Sequence, residues 1–512
     1  MNIMTLVLVL AKMRWLTPKG LFLLLAAVRK EGVNVMLLLH VAARLFGDKP
    51  ALTDDWETVD YRQLFTRSRT LSIHFSHVYK MKKGQKIGFL CRNHLSFVTA
   101  LFAASRIGAD LYLLNPDAGK NRLKEMMQHH AFDVLVHDEE FAPLLNAFSI
   151  SACKKFIRSS TLQNAIADEN GILPRSSSGR IVLLTGGTTG KPKEAVHRPS
   201  ILAYISPFFT LVQRLELHHR QTAFVATPLF HGYGIGMLLS MIALGKKVVI
   251  SSDFKADKAC TIIKKQRIDV VSVVPLMVHK MLDCRVQDLQ SLVCIASGGA
   301  ELNPKLVQSV SDQLGMILYN LYGTSEGGLL SIATPQELAT FPGTAGRKIR
   351  GIQLTACNEK GQQLKPGEIG QLCVKSKNGW AQTGDVGWQD GAGYYYLCGR
   401  TDDMIVSAGE NVYPQDIERV LSYHPGIDAA AVIGIRDERF GQRLAAFVQP
   451  APHLSLTTEE LLSWLRPQLA RFQLPKEIIF VQTMPHTALG KLDKKELEKH
   501  FSSTGEQQLP LT

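Results

Sequence analysis

Residues 183–193, which read L-L-T-G-G-T-T-G-K-P-K, decide how this chain is organised. Residues 181–184, which lead into the loop, are β-branched or apolar and predict a buried strand. The glycines that follow let backbone N–H groups approach an anion closely, and threonine hydroxyls and lysines add donors and positive charge. A Walker A loop would need Gly at Thr185 and Ser or Thr at Pro192, so the stretch is not one. It predicts a polyphosphate-binding loop, although on its own the composition also fits an ordinary turn.

Four more motifs follow this loop, and together the five carry a family resemblance. Residues 185–193 resemble the signature of the adenylate-forming superfamily, which includes acyl-CoA synthetases, peptide-synthetase adenylation domains and luciferases. Residues 322–326 (Y-G-T-S-E) are similar to the second motif of that family. Residues 383–385 (T-G-D), 399–403 (G-R-T-D-D) and 485–491 (P-H-T-A-L-G-K) resemble the others. Because the motifs occur in the family's order and at its spacing, the chain is identified as a member over most of its length.

Composition and charge limit the kinds of partner. A chain of 512 residues is long enough for two or more domains, and 46% hydrophobic and 20% charged residues describe a globular protein. The net charge of +13 suits anionic partners such as nucleotides, CoA or a membrane surface. Nucleic acid is not an expected partner, because the sequence has no basic run interleaved with aromatic residues.

The eight cysteines are scattered, with no C-x-x-C pair and no histidine at metal-ligand spacing. This pattern predicts reduced thiols in a cytoplasmic protein and disfavours a structural zinc site.

Residues 1–47 form a segment in which three apolar runs alternate with basic residues. No run reaches the roughly 18 apolar residues that a membrane span requires, and no basic residues precede the first run as in a secretory signal. Two interpretations stay open for this segment. It can be a helix lying in a membrane interface, which would make the protein a peripheral membrane protein, or it can pack on the body of the protein.

From residue 86 onward, short β-branched strands alternate with helices, which predicts an α/β fold of parallel sheets wrapped by helices. The predicted strands are 86–91, 110–114, 133–137, 247–251 and 269–274, and the predicted helices are 94–107, 119–130 and 256–267. Glycine-rich short strands after residue 343 predict a small β-rich subdomain that ends near residue 399. We therefore divide the chain into an N-terminal domain of two helix-wrapped sheets (48–400) and a small, mobile α+β C-terminal domain (401–512).

The resemblance implies the adenylation of a carboxylic acid by ATP, followed by transfer of the acyl group to CoA. A carboxylate is a poor electrophile, and joining it to AMP supplies a good leaving group, so the site must bring two anions together. Thr188 and Glu326 would hold Mg²⁺, which prefers oxygen ligands, and Thr324 would donate to the α-phosphate. Glu326 taken alone could be a solvated loop residue. The implied nucleotide- and CoA-binding residues are Thr185, Gly186, Gly187, Thr188, Thr189, Gly190, Lys191, Lys193, Gly298, Gly299, Ala300, Tyr322, Gly323, Thr324, Asp385, Arg400, Gly409, Glu410 and Asn411.

Within that set, Asp385 and Arg400 would bind the ribose hydroxyls, although Asp385 in a Thr-Gly-Asp turn could simply stabilise the turn. Lys491 matches the family's catalytic lysine, whose compact charge would bridge the carboxylate and the α-phosphate. Taken alone, it would be a surface lysine. Asp402 matches the hinge about which the C-terminal domain rotates between the two half-reactions.

The acid-binding pocket is assigned to His231, Tyr233 and Gly299. His231 takes the place where amino-acid-activating relatives carry an Asp for the α-amine, so an α-amino acid is disfavoured. Glycines at 232, 234 and 236 leave room for a long chain. His231 can also be a plain packing histidine.

Two positions depart from the family pattern. Glu194 stands where Gly is usual after the loop lysine, and His197-Arg198 replaces a Thr/Ser-His pair.

The sequence as a whole predicts an ATP-dependent acyl-CoA synthetase acting on a fatty acid. One alternative is a fatty acyl-AMP ligase that loads a carrier protein, but its usual insertion near the domain junction is absent from this sequence. Another is a non-catalytic, membrane-associated binding protein of the same fold. The presence of Lys491, Glu326 and Asp385 disfavours that alternative.

Overall fold

The computed structural model describes residues 15, 17–148, 153–164, 171, 173–177, 179–185, 193–197, 201–376, 379–407, 410–437, 441–452, 454, 456–487 and 491–505. The α-helices are α1 (Pro18–Glu31), α2 (Val35–Phe46), α3 (Tyr61–His77), α4 (Leu95–Ile107), α5 (Lys120–His130), α6 (Ala142–Asn146), α7 (Ile201–Arg214), α8 (Gly232–Ala243), α9 (Ala256–Gln266), α10 (Pro275–Arg285), α11 (Pro304–Leu314), α12 (Pro335–Thr340), α13 (Pro414–Ser422), α14 (Thr458–Leu465) and α15 (Lys494–Gly505).

The first twelve β-strands are β1 (Pro50–Thr53), β2 (Thr58–Asp60), β3 (Lys86–Leu90), β4 (Asp110–Leu113), β5 (Val134–His137), β6 (Phe156–Arg158), β7 (Ile181–Thr185), β8 (Lys193–His197), β9 (Thr222–Val225), β10 (Lys247–Ile250), β11 (Val270–Val273) and β12 (Cys294–Gly298). The others are β13 (Leu318–Thr324), β14 (Gly328–Ala333), β15 (Thr344–Lys348), β16 (Leu354–Cys357), β17 (Gly370–Ser376), β18 (Gly379–Gln389), β19 (Tyr394–Arg400), β20 (Ile405–Ser407), β21 (Glu410–Val412), β22 (Ile427–Asp437), β23 (Gly441–Pro450) and β24 (Glu477–Phe480). The strands and helices predicted between residues 86 and 274 are all present, and their ends differ from the prediction by at most one residue.

Two helix-wrapped sheets form the N-terminal domain, as predicted. One has thirteen strands in the order β16-β17-β18-β19-β15-β14-β13-β12-β11-β9-β10-β1-β2, and the other has six in the order β6-β5-β3-β4-β7-β8. Parallel strands must be covered on both faces, which is why β3, β4, β9, β10 and β11 read as near-continuous apolar runs. Helix α4 is buried along its whole length, and one hydrophobic core contains side chains from both sheets.

The β-rich region extends a larger sheet. Strand β15 pairs with β14, and β19 pairs with β15, so the strands from β15 to β19 extend the thirteen-stranded sheet. Two of the motifs lie on strands: Tyr322 to Thr324 end β13, and Thr383 to Asp385 lie inside β18. Thr383 to Asp385 lie in a bulge where β18 shifts register against β17, and this bulge accommodates the positive φ of 80° at Gly384, so the alternative of an isolated Thr-Gly-Asp turn is not observed.

The N-terminal segment contains two helices with different surroundings. Seven of the twelve residues of α2 lie in clusters of the hydrophobic interior, so the boundary proposed at residue 47 does not separate α2 from the body. Glu31 at the end of α1 is buried, forms an ion pair with Arg106 of α4 and makes a hydrogen bond of 2.8 Å with His40 Nδ1 of α2. By contrast, α1 exposes Leu21, Phe22 and Leu25 on its outer face. Packing therefore describes α2, whereas α1 presents apolar side chains to solvent.

The C-terminal residues build a separate five-stranded sheet of β20 to β24, with α13, α14 and α15 around it. Helix α14 ends at Leu465, two residues before Pro467, as a proline that cannot donate a backbone hydrogen bond predicts. The last strand of the large sheet ends at Arg400, and the small sheet begins at Ile405. The hinge at Asp402 stays a prediction, and it falls in this connection.

Within the described part of the chain, no helix combines the length and the apolarity needed to cross a membrane. All eight cysteines are free thiols, and Cys284 is exposed while the others are buried.

Candidate active site

A single large cleft of about 2870 Å³ brings together motifs that are far apart in the sequence. It is lined by the ends of β12 and β13, the start of α8, the bulged part of β18 and the loop that carries Lys491. In open α/β sheets, ligands bind outside the carboxyl ends of the strands, and β12 and β13 present these ends to the cleft. The cleft is therefore the candidate active site.

Asp385 is held in a polar network on one side of this cleft. The Tyr322 hydroxyl donates to Asp385 Oδ2 at 2.7 Å, and Arg400 Nη1 donates to Asp385 Oδ1 at 3.1 Å. Burial raises the pKa of the Asp385 carboxyl, while Tyr322 and Arg400 act in the opposite direction. Arg400 also donates through Nε to Asp402 Oδ1 at 2.9 Å, so the predicted hinge residue is linked to the predicted ribose site.

The hairpin between β13 and β14 presents Thr324 and Glu326 to the same cleft. Thr324 Oγ1 accepts a hydrogen bond from the Gly327 backbone N–H at 2.9 Å, which leaves the hydroxyl hydrogen free to donate to a ligand. Glu326 is exposed, as a carboxylate that binds an ion from solvent must be. The predicted donor and the predicted magnesium ligand are therefore neighbours at the cleft.

The glycine segment after β12 forms another wall. A Cβ atom at Gly298 would lie 2.8 Å from the Leu321 carbonyl oxygen, so only glycine allows β12 to approach β13 here. Gly299 has a φ of 82°, which turns the chain away from the sheet before Ala300. Ser297 Oγ is buried and has no hydrogen-bond partner within the described residues. Gly298, Gly299 and Ala300 line the cleft directly.

The acid side of the cleft begins at His231, the N-cap residue of α8. Its Nε2 atom is buried without a hydrogen-bond partner in the part of the chain that is described. Burial, followed by the charge of Lys491, lowers the pKa of His231 to about 4, so the imidazole is neutral at physiological pH. Tyr233 donates its hydroxyl to the Ala296 carbonyl at 2.6 Å and contributes a ring wall. A neutral imidazole and an aromatic wall suit an acid with an apolar body.

Lys491 faces both sides of the cleft. Lys491 is exposed to the open cleft. Partial burial of its ammonium, followed by the charge of Arg400, lowers the pKa of Lys491, and Asp385 acts in the opposite direction. The Thr487 N–H donates to the Lys491 carbonyl at 2.7 Å, and the Lys491 N–H donates to Thr487 Oγ1 at 3.2 Å. The structure thus brings Lys491, from the C-terminal sheet's side of the chain, to Asp385, Arg400 and His231.

Several of the predicted nucleotide- and CoA-binding residues lie outside the described part of the chain. Gly186, Gly187, Thr188, Thr189, Gly190, Lys191 and Gly409 lie outside the described residues, and so do the side chains of Thr185, Lys193, Glu410 and Asn411. The strands on both sides of the phosphate loop are described: β7 runs parallel to β4 and antiparallel to β8.

The two departures from the family pattern have structural partners. Glu194 Oε1 lies 3.2 Å from Nδ1 of the buried His130, so this side chain is paired with α5. His197 Nε2 donates to the Ser325 carbonyl at 2.6 Å, which ties β8 to the hairpin that carries Glu326.

Asn93 and Lys305 were missed by sequence reasoning. Asn93 Oδ1 accepts from the Leu229 N–H at 2.8 Å, and its Nδ2 donates to the Thr227 carbonyl at 3.2 Å, which holds the loop before His231. A polar residue just after strand β3 was a signal for a site residue. Lys305 Nζ donates to the carbonyls of His424 and Ile427, at 2.6 and 2.9 Å, and so joins α11 to the C-terminal domain. No local pattern marks such a contact.

Cys91, His94 and Asp138 form a cluster of metal-ligating residue types outside the cleft, with ligand atoms within 4.8 Å of one another. His94 Nε2 contacts Asp138 at 2.8 Å, and its Nδ1 accepts from the Phe97 N–H at 3.1 Å. Both ring nitrogens of His94 are therefore engaged, Nε2 with Asp138 and Nδ1 in capping α4, which leaves this imidazole no lone pair for a metal.

Comparison with known proteins gives family matches along the chain. Residues 39–381 match the family described as AMP-binding enzyme, and residues 416–491 match the AMP-binding enzyme C-terminal domain. The chain is 30% identical to a feruloyl-CoA synthase from an Amycolatopsis species over 447 residues, which is 82% of this chain and 90% of that protein.

A second relative is a 2-succinylbenzoate–CoA ligase from Bacillus thuringiensis, with 28% identity over 90% of this chain and 97% of that protein. Among solved structures, o-succinylbenzoate coenzyme A synthetase from Bacillus subtilis, in complex with ATP and magnesium ion, has a TM-score of 0.78. It is 23% identical, and the match covers 90% of this chain and 99% of that one.

Proposed function

The chain belongs to the AMP-binding enzyme family, and on that premise we propose that it joins an aromatic carboxylic acid to coenzyme A. The coarser activity is that of an AMP-forming acid–CoA ligase, which uses ATP, Mg²⁺ and CoA. The predicted family and the α/β fold are confirmed. The observation that supports the site assignment is that Lys491, Asp385, Arg400 and His231 line one cleft.

In the first half-reaction, an oxygen of the acid's carboxylate attacks the α-phosphorus of ATP, and pyrophosphate leaves. Lys491 offers a cation where these two anions meet, so it lowers their repulsion as the new bond forms. Asp385, oriented by Tyr322 and Arg400, accepts hydrogen bonds from ribose hydroxyls, and the free hydroxyl hydrogen of Thr324 is available to a phosphate oxygen. These groups are held before the nucleotide binds, which limits the reorganisation that the reaction requires.

Magnesium suits the oxygen donors near the nucleotide side of the cleft. Glu326 is an exposed carboxylate beside the Thr324 hydroxyl, and together with Thr188 it is proposed to hold the ion. When bound, Mg²⁺ supplies positive charge to phosphate oxygens.

In the second half-reaction, the CoA sulfur attacks the acyl carbonyl, AMP leaves, and the thiol proton passes to solvent. We propose that rotation about Asp402 brings residues 409–411 to the pantetheine. Proline fixes φ near −65°, so Asp402→Pro should keep pyrophosphate release and lose thioester formation. Equal loss of both half-reactions would contradict a hinge at this residue.

The aromatic acid is proposed from the named relatives and from the cleft itself. Feruloyl and 2-succinylbenzoate are the acyl groups in the relatives' names. The neutral His231 beside the Tyr233 ring suits an aryl group better than a charged one. The fatty acid expected from the sequence is not confirmed by the comparisons, and it remains a second candidate because apolar walls continue along α8.

The function is tested by incubating the protein with ATP, Mg²⁺, CoA and a panel of aryl, arylalkanoic, fatty and α-amino acids. Mass spectrometry of the products should detect aryl-CoA thioesters and AMP. Formation of acyl-AMP without acyl-CoA would favour the carrier-loading alternative, provided that an added carrier protein accepts the acyl group. No product with any acid would remove the proposal, in line with the non-catalytic alternative.

A cytoplasmic location and membrane contact remain predictions. Exposed Leu21, Phe22 and Leu25 on α1, near the basic Lys19 and Arg29, support contact with an anionic bilayer. Replacing Phe22 and Leu25 by Ser should reduce sedimentation with phosphatidylserine vesicles, and unchanged sedimentation would remove the membrane prediction.

A further inference from the structure

The cleft does not end at the proposed aryl pocket. Residues of α8 that line it include Gly232, Gly236, Leu239 and Ala243, which recur every three or four positions and so lie on one face of the helix. At 1.5 Å per residue, this face runs for about 16 Å from the catalytic centre to the far end of α8. One helix therefore provides a continuous wall that begins beside His231.

The cavity is unobstructed beside the middle of this wall, at Gly236. A Cβ atom built at Gly236 would meet no other atom within 4 Å, and Gly236 is exposed although α8 packs on the core. Ser240 lies one turn further, and its hydroxyl donates to the Gly236 carbonyl at 2.7 Å. Because that hydroxyl bonds to its own helix, it does not require a polar partner in the cavity. The wall is therefore suited to methylene groups.

Apolar side chains from two other helices also line the cleft. Phe208 and Phe209 come from α7, and Leu38 comes from the buried helix α2. Alkyl chains gain about 0.8 kcal/mol for each methylene that is removed from water, so such walls favour an extended apolar chain.

The far end of the cavity is formed by the N-terminal segment. Trp15 donates its indole N–H to the Ala243 carbonyl at 2.9 Å, at the last residue of α8, and like Leu24 of α1 it packs against a small cluster of α1 and α2 side chains. Both Trp15 and Leu24 line the cleft. The indole is therefore held beside the last residue of α8, at the end of this apolar wall that is farthest from His231.

Resting on the proposed acid–CoA ligase function, we propose that the cavity along α8 is a binding subsite for an extended alkyl chain on the acid. Gly236 keeps this subsite open, and Trp15 sets the maximum chain length. The shared chemistry is an apolar tail, carried either by a fatty acid or by an aryl acid with an alkyl substituent.

The first variant is Gly236→Leu, which places a side chain in the cavity without straining a helical backbone. Activity would be compared for benzoate, 4-octylbenzoate, octanoate and dodecanoate. We expect kcat/KM for 4-octylbenzoate and dodecanoate to fall about tenfold or more, as when a hydrophobic pocket loses room for a methylene. The kcat/KM for benzoate should change little. The matched control is Gly391→Leu, at an exposed turn where an added Cβ also meets nothing within 4 Å.

The second variant is Trp15→Ala, which should shift the preferred tail toward longer acids, with Trp15→Phe retaining most of the wild-type preference. Acceptance of 4-octylbenzoate but not dodecanoate would identify an alkylaryl acid as the source of the tail, and the reverse would identify a fatty acid. An equal effect of Gly236→Leu on all four acids would overturn the subsite.

A binding measurement separates this inference from the proposed function. Calorimetric titration of dodecanoate and 4-octylbenzoate should show binding to the full-length protein that Gly236→Leu abolishes and Gly391→Leu preserves. If no thioester forms with any acid but this binding pattern holds, the ligase proposal falls and the subsite stands. If thioesters form while Gly236→Leu leaves tail binding and tail preference unchanged, the subsite falls and the ligase proposal stands.

Discussion

The nucleotide side and the acid side of the cleft are built in opposite ways. On the nucleotide side, Asp385 already receives hydrogen bonds from Tyr322 and Arg400 at 2.7 and 3.1 Å. On the acid side, the Nε2 atom of His231 is buried without a partner within the described residues, and the wall beyond it is apolar. One side is a fixed polar network, and the other is a space with few directional contacts.

This difference indicates where a substitution can change the specificity for the acid without abolishing the reaction. Hydrogen bonds to charged groups depend strongly on distance and direction, so the nucleotide side tolerates little variation. Apolar contacts are non-directional, so a cavity can be reshaped by one side chain while the nucleotide network stays intact. Lys491 is the residue that serves both sides.

Lys491→Ala should have the largest effect, because it removes the cation that both sides share. We expect acyl-AMP formation to fall by roughly 10² to 10³, as when one preorganised electrostatic group is removed. The measurement is pyrophosphate release from the acid and ATP. The same variant, given presynthesised acyl-adenylate and CoA, should make thioester at close to the wild-type rate.

The pH profile provides a second readout of Lys491. Its pKa is lowered from 10.5, and the protonated form is the active one, so wild-type adenylation should decline with rising pH before an ordinary lysine would deprotonate. Lys491→Ala should lack this alkaline decline. If the decline persists in the variant, another group is responsible for it.

Asp385→Asn tests the fixed side alone. Losing charge-assisted hydrogen bonds of about 1.5–3 kcal/mol should raise the KM for ATP by roughly tenfold to a hundredfold. The KM for the acid should stay within about twofold. Asp390→Asn is the control, because Asp390 caps the turn after the same strand through Ala392 and Tyr394. A comparable rise in the acid KM would mean that the two sides are not separable.

His231→Ala tests the acid side in the same way. We expect the KM for the acid to rise about threefold to tenfold, the scale of one neutral hydrogen bond and its packing, with the ATP KM unchanged. Steady-state kinetics with each substrate varied in turn would measure both. His129→Ala, on the exposed face of α5, is the control. A larger effect on ATP than on the acid would reverse the assignment.

Lys305→Met should have the smallest effect, since the ammonium of Lys305 bonds to backbone carbonyls of the C-terminal domain. Its ammonium joins α11 to carbonyls of the C-terminal domain, in the arrangement that places Lys491 in the cleft. Losing these contacts should slow adenylation about twofold to fivefold, at the lower end expected for hydrogen bonds, and spare thioester formation from presynthesised adenylate. Lys360→Met, in an exposed turn, is the control. Equal slowing of both half-reactions would indicate a general loss of stability.

The sequence by itself determined the α/β class, the alternating strands and helices of residues 86–274, and the motifs that carry Asp385, Arg400 and Lys491. These signals are local. They are the periodicity of strands and helices, and short runs of glycine, hydroxyl and charged residues whose chemical role can be inferred from neighbouring positions in the sequence. The sequence did not determine that Thr383 to Asp385 would lie within a strand. Residues on both sides of this bulge pair with β17, and Asp385 pairs with β19, which keeps Gly384 in β18 despite its turn propensity.

Only the tertiary structure decided what surrounds those motifs. Tyr322 and Asp385 are 63 residues apart, Lys305 meets carbonyls more than 100 residues away, and Trp15 bonds to Ala243 across 228 residues. The open space beside Gly236 likewise depends on where α7 and the N-terminal helices pack. Contacts between distant segments arise from the burial of apolar surface across the whole domain, which no local pattern encodes.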